Sequence, residues 1–209
     1  MSVRYNIKNT TTKTSLFFKN NDLEDIPILL EDKYFTDVNS YRNITDYIYR
    51  VINKSEFLCR GLNPKYVLDA FNNVDAVVTI SSSSMDILPN GNIFGFALLK
   101  FDEIHNSIYI DVICSHVGIK GAGDILINEI EEIGRRLFMT DIHLISVQSA
   151  IPFYKKYGYK KTNKLCNDMC MMIKPIHKRK TKSKSKTKSN SRPKTKSKSN
   201  SRTRKQLQK

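Results

Sequence analysis

An amphipathic helix held between two apolar runs is the feature that most limits how this chain can fold. Ile108 to Cys114 reads as a strand, and Gly118-Ile119-Lys120-Gly121-Ala122-Gly123-Asp124 interrupts it. Ile125, Leu126, Ile127, Ile130, Ile133, Leu137 and Phe138 then recur at helical spacing, and Ile142 to Ile145 is apolar again. A strand, a helix and a second strand in that order predict a crossover and a parallel pairing. The glycines fall where the helix opens, so its first N–H groups lack carbonyl partners and are placed to hold a phosphate.

The flanking sequence supplies the other elements. Val3 to Ile7 and Leu16 to Phe18 predict a first strand with a ragged lead. Ile26 to Asn53 reads as helical, with Ile44, Tyr47, Ile48, Val51 and Ile52 on one face. Asn63-Pro64 predicts the start of a short helix through Tyr66 to Phe71, since proline is tolerated in a first turn. Ala76 to Ile80 predicts a strand, and Ser81 to Ser84 with Pro89 to Asn92 a loop and turn. Ile93 to Phe101 and Ile108 to Cys114, joined by the polar stretch Asp102 to Ser107, predict an antiparallel meander. A short helix over Ala150 to Tyr157 and a last strand over Met169 to Ile173 complete the set.

Charge is divided unevenly. The chain of 209 residues has 35 Lys and Arg against 20 Asp and Glu, but fifteen of the basic groups and no acidic one lie from Lys178 to Lys209. The preceding residues balance, with 20 groups of each sign. The domain is expected over residues 1–176, and 177–209 as a disordered Lys/Ser-rich tail with too little apolar surface to offset chain entropy. Such a tail is expected to attract nucleic acid or another polyanion non-specifically, without base stacking because it carries no aromatic residue. His177-Lys178-Arg179-Lys180 also fits a nuclear-localisation signal.

No run resembles a secretory segment or a membrane span, so an intracellular, cytoplasmic or nuclear protein with reduced thiols and no membrane partner is expected. Cys166 and Cys170, with His177 beyond them, are too loosely spaced for zinc and have no matching second pair. Cys170 is expected to pack in a strand and Cys166 to lie in a turn.

The chemistry rests on two segments, the glycine turn and Ala150-Ile151-Pro152-Phe153-Tyr154-Lys155-Lys156-Tyr157-Gly158-Tyr159. The second sets a phenol on a short helix that stops at a glycine. A phosphate cradle followed by a positioned tyrosine suggests acyl transfer from a nucleotide-containing thioester. Asp124, a first-turn carboxylate, suits the helix dipole but not an anion. Asp111 is the leading candidate for a base, placed by alternation on the same face as Tyr109 and Ile113, with Glu103 and His116 behind it.

Together these segments resemble the GNAT superfamily of acetyl-CoA-dependent N-acetyltransferases over roughly Ala76 to Ile173, and the second is similar to the histone-type members. The resemblance implies an α/β (α+β) fold with a mixed, mostly antiparallel sheet, a splayed central strand pair and flanking helices. It implies acetyl-CoA as co-substrate, its pyrophosphate on the amides of Gly118, Ile119, Lys120, Gly121, Ala122, Gly123 and Asp124, and its pantetheine arm on Ile113 and Ser115. Tyr154 would protonate the leaving thiolate, Tyr157 and Tyr159 would be structural, and the amine acceptor, of unknown identity, would lie against residues 22–75. The family usually has Arg or Gln where Gly118 stands and often Asn where Val147 stands. Those departures keep open a second reading, a catalytically degenerate module of the same fold that tethers the basic tail to nucleic acid.

Overall fold

The computed structural model describes residues 5–6, 12–19, 30, 35–36, 41–54, 58–59, 62–82 and 93–176. The chain divides into two units, 1–178 and 179–209. The basic tail, the turn expected at Pro89 to Asn92 and most of the lead expected to be helical before Tyr41 lie outside the described residues. In chain order the elements are β1 (Tyr5–Asn6), β2 (Thr12–Phe18), β3 (Phe35–Thr36), α1 (Tyr41–Lys54), α2 (Pro64–Phe71), β4 (Ala76–Ser82), β5 (Ile93–Asp102) and β6 (Ser107–Ser115). They continue as β7 (Ile119–Lys120), α3 (Ala122–Arg136), β8 (Asp141–Val147), α4 (Ile151–Lys156), β9 (Lys160–Cys166) and β10 (Met169–Pro175).

Eight strands form one sheet in the order β3-β2-β4-β5-β6-β8-β10-β9, while β1 and β7 pair as a small parallel ribbon. Within the large sheet only β2–β3 and β6–β8 are parallel, so it is mixed and mostly antiparallel, with the helical crossover where the α3 pattern predicts it. Two apolar layers flank it. Leu126, Ile127, Ile130 and Ile133 of α3 are fully buried against one face together with Ile108, Ile110 and Leu144. Ile48 and Ile52 of α1 and Val67, Ala70 and Phe71 of α2 cover the other, against Phe96, Leu98 and Val112. Each Ile, Leu and Val side chain among these adds about 1.5–3 kcal/mol of burial, so both helical layers are held mainly by their apolar faces. At the start of α2 the Asn63 side chain accepts the Lys65 N–H at 2.9 Å, with Pro64 in the first turn.

Three expectations need correction. The helical reading from Ile26 is too long at its start, because Phe35–Thr36 forms a strand beside Ser15 and Leu16 of β2. A strand over Lys160–Cys166 was not foreseen: its Lys and Thr run lacks apolar alternation, and pairing with β10 at the sheet edge supplies the order that periodicity does not. Cys166 accordingly ends a strand.

The reduced-thiol expectation is also overturned: all four cysteines pair, as Cys59–Cys114 and Cys166–Cys170, with Cα separations of 4.9 and 4.4 Å. The folded backbone brings Leu58 into a bridge with His116, and this sets Cys59 beside the end of β6. No helix among the described residues is long and apolar enough to cross a membrane. The Cys59–Cys114 bridge joins positions 55 residues apart, so it stabilises the domain by about 4 kcal/mol through the unfolded chain. A C59S/C114S variant is expected to melt about 10 °C lower, as read by circular dichroism, and an unchanged midpoint would show that the bridge does not form.

Candidate functional site

The site is made by a strand that leaves its neighbour. β6 and β8 pair only from Ser107 with Asp141 to Ile110 with Leu144. β8 stays with β10 along its full length, from Val147 opposite Met169 to Asp141 opposite Pro175. β6 stays with β5, but Leu98 pairs with Val112 and Leu99 with Ile110, so Asp111 is an extra residue in the ladder. A bulge of this kind bends its strand and adds twist. It also exchanges the faces: Ile108 and Ile110 pack on the α3 side, whereas Val112 and Cys114 pack on the side of α1 and α2. The expected shared face of Tyr109, Asp111 and Ile113 is therefore broken. Ile113 lies on the α3 side, and Asp111 stays near Tyr109 and Tyr66.

Two adjoining cavities fill the gap. The smaller, about 330 Å³, lies over the start of α3 and is lined by Ile113, Ser115, Gly121, Gly123, Asp124 and Tyr154, among others. The larger, about 760 Å³, runs between the parted strands and reaches Asp111, Tyr66 and Cys59. Ile113, Cys114, Ser115, Ala150 and Tyr154 border both. The structure thus brings together Tyr154, Asp111, Ile113, Ser115, Gly121, Gly123 and Asp124.

Gly118, Ile119, Lys120 and Ala122 line neither cavity. Ile119 is buried in the core, and Ile119–Lys120 pairs with Tyr5–Asn6 as a strand. The Gly118 N–H donates to His116 Nδ1 at 3.1 Å, and burial lowers the pKa of that imidazole, so it accepts in its neutral form. The part of the turn that faces the cavity therefore begins at Gly121.

Two glycines shape that part. Gly121, the N-cap of α3, has φ 98° and gives the helix no side-chain cap, so the first amides keep their donors. A Cβ on Gly123 would lie 3.2 Å from Phe153 Cζ, so that ring would have to give by a few tenths of an ångström, and 3.8 Å from Ser115 Oγ, an ordinary contact. Asp124 is held by other groups: the Tyr157 hydroxyl donates to its Oδ1, and Lys156 Nζ stands 3.3 Å away. That engagement offsets its charge beside the helix start.

Tyr154 is 7% exposed and packs edge-on against Phe153 and Tyr159, with ring centroids 5.2 and 5.8 Å away. Burial pushes its phenol up to about 12, so it carries its proton throughout the physiological range. Tyr159 is buried to 2% exposure with an unpartnered hydroxyl, and Tyr157 braces Asp124. Among the other candidate bases, Glu103 and His116 line neither cavity. Asp111 does, with Lys100 Nζ 3.9 Å from its Oδ2. No cluster of metal-ligating side chains occurs among the described residues. The larger cavity also has walls that were not singled out as site residues, from Met169, from Val147, noted only for the Asn it replaces, and from Leu62 and Tyr66, which fall within the stretch 22–75 expected against the acceptor. Tyr66 flanks the buried stripe of α2, one turn before Ala70, and is half exposed.

A phenol whose pKa rises on folding stabilises the fold below its unfolded value near 10 and loses that contribution as pH climbs toward its folded value. Stability is therefore expected to fall across this alkaline window, and less steeply in Tyr154→Phe. Urea melts at a series of alkaline pH values test this, and parallel curves for the two proteins would contradict the buried phenol.

No protein-family model and no curated protein matches the chain. Solved structures do. A candidate N-acetyltransferase from Lactobacillus plantarum superposes with a TM-score of 0.54 at 14% identity, over 80% of this chain and 99% of the other. Nourseothricin acetyltransferase gives 0.40 at 14% identity, over 49% of this chain and 65% of its own length. N-acetylglutamate synthase from Neisseria gonorrhoeae, solved with coenzyme A and N-acetyl-glutamate, gives 0.44 at 12% identity over 79% of this chain and 35% of its own. The mixed sheet, the parted β6 and β8 and the superposition over the full length of the Lactobacillus protein make this the fold of the GNAT-type acetyltransferases.

Proposed function

We propose that this protein is an acetyl-CoA-dependent N-acetyltransferase that moves an acetyl group to a primary amine by direct attack. The observation that carries the reading is Tyr154, buried and protonated, standing where the cavity over the α3 N-terminus meets the cavity between the parted strands. The residues present fit the co-substrate. Gly121 and Gly123, which line the smaller cavity, offer uncapped amides at a helix start, and without a Cβ Gly123 lets Phe153 pack close beside them. Beyond Ile110 the edge of β6 has no β8 partner, leaving Ile113 and Ser115 to pair with an extended amide chain.

When bound, acetyl-CoA would supply the thioester whose C–S bond breaks as the amine forms the new C–N bond. Tyr154 would donate its proton toward the departing sulfur, a role for which a phenol that keeps its proton is suited. Asp111, at the wall of the larger cavity, would accept the proton the amine gives up, directly or through water. The full chain is expected to bind acetyl-CoA in isothermal titration at a salt concentration that screens the tail. Tyr154→Phe should lower kcat by a hundredfold or more with little change in cofactor affinity. Equal losses in both would make Tyr154 a packing residue, and absence of binding would remove the proposal.

The second reading, a fold-only module carrying a polyanion-binding tail, is favoured by Gly118 and Val147, which lack the side-chain contacts usual in the family. Truncation before Lys178 separates the two readings. The enzyme keeps acetyl transfer and loses only its polyanion affinity, whereas the module loses its one binding activity and shows no transfer in either form.

A further inference from the structure

Nine large apolar residues are exposed among the described residues, and six of them border the larger cavity: Leu62, Tyr66, Val117, Ile145, Val147 and Met169. They come from the lead into α2, α2 itself, the turn after β6, β8 and the start of β10, so elements far apart in sequence deliver apolar side chains to one rim. They are 38–55% exposed, more than packing against the domain requires. Inside the rim, Asp111 is the only formally charged side chain among the lining residues described. Tyr66 and Tyr109 stand close enough to feel its charge, which adds to burial in raising their phenol pKa values. Lys100 Nζ, 3.9 Å from Asp111 Oδ2, lies 5.8 Å from the Tyr109 ring centroid, so an ammonium is already accommodated between this carboxylate and an aromatic ring.

We infer that the larger cavity accepts a small, singly charged primary amine on an apolar body, its ammonium directed to Asp111 and its body against the rim. The inference rests on the acetyltransferase reading for what then happens to the amine, but not for the binding itself. The size and polarity of the cavity select the class. About 760 Å³ is the scale of small-molecule sites. A polyamine or a lysine-rich peptide would bring further ammonium groups against apolar side chains that offer no counter-charge, at a desolvation cost. The Lys100 contact with Asp111 is longer than a hydrogen bond and partly exposed, so an incoming ammonium displaces little.

Titration calorimetry on the full chain, with and without CoA, tests this using hexylamine, hexanol, spermidine and a short lysine-containing peptide. Hexylamine is expected to bind at least tenfold more tightly than hexanol and more tightly than spermidine or the peptide. Asp111→Asn should bring hexylamine down to the hexanol level while leaving hexanol binding unchanged, which also shows that the variant is folded. A rim variant, Val147→Lys, should weaken hexylamine about tenfold. Tighter binding of spermidine or the peptide, indifference to Asp111→Asn, or no hexylamine binding in either condition would overturn the inference. Hexylamine binding without any affinity for acetyl-CoA would instead remove the acetyltransferase reading and leave this one standing.

Discussion

The parting of β6 from β8 after four paired residues is the constraint from which the rest of the site follows. A sheet that stayed zipped would bury the inner edges of both strands and leave no room for a ligand. The extra residue at Asp111 bends β6 in mid-strand, while β10 holds β8 along its full length, so the two cannot rejoin. The bulge also lets one strand serve both layers. Its first half packs under α3, and its second half turns Val112 and Cys114 to the α1–α2 side while Ile113 faces α3. The same irregularity thus opens the cavity and places a carboxylate in its wall.

Around that gap the groups are arranged to favour an anion at one end and a cation at the other. The α3 N-terminus presents uncapped amides, and the carboxylate nearest them, Asp124, is engaged by Tyr157 and Lys156. Asp111 stands in the wall of the larger cavity, within the apolar rim. Tyr154 stands between, its phenol kept neutral by burial. On the proposed reading, a neutral donor bordering both cavities suits transfer from a phosphate-bearing thioester held at one to an amine held at the other.

Much of the architecture was legible because local pattern and tertiary environment agree. The α3 stripe, the Asn63 cap and the β5–β6 meander each announce themselves through periodicity or turn chemistry. The pairing of Tyr154 with the glycine turn was also readable, since each segment has a distinctive local sequence. What was hidden depends on register. Alternation alone puts Asp111 and Ile113 on one face, and nothing in Ile110-Asp111-Val112 reveals a bulge that depends on its pairing with Leu98 and Leu99. Gly118 to Lys120 looked like a loop because two paired residues are too few to show a strand period. Cys59 and Cys114, 55 residues apart, meet only once Leu58 pairs with His116. The rim is invisible in the sequence for the same reason, since its six members come from five separate stretches of the chain.

Hydrogen–deuterium exchange with and without acetyl-CoA tests the central claim most directly, because it locates the ligand as well as detecting it. A co-substrate seated between the parted strands will slow exchange at the amides of Ile113 to Ser115 and Gly121 to Asp124, leaving β4 and the middle of β5 unchanged. Slowed exchange confined to the basic residues after Lys178, or none at either of those two segments at saturating acetyl-CoA, would contradict it.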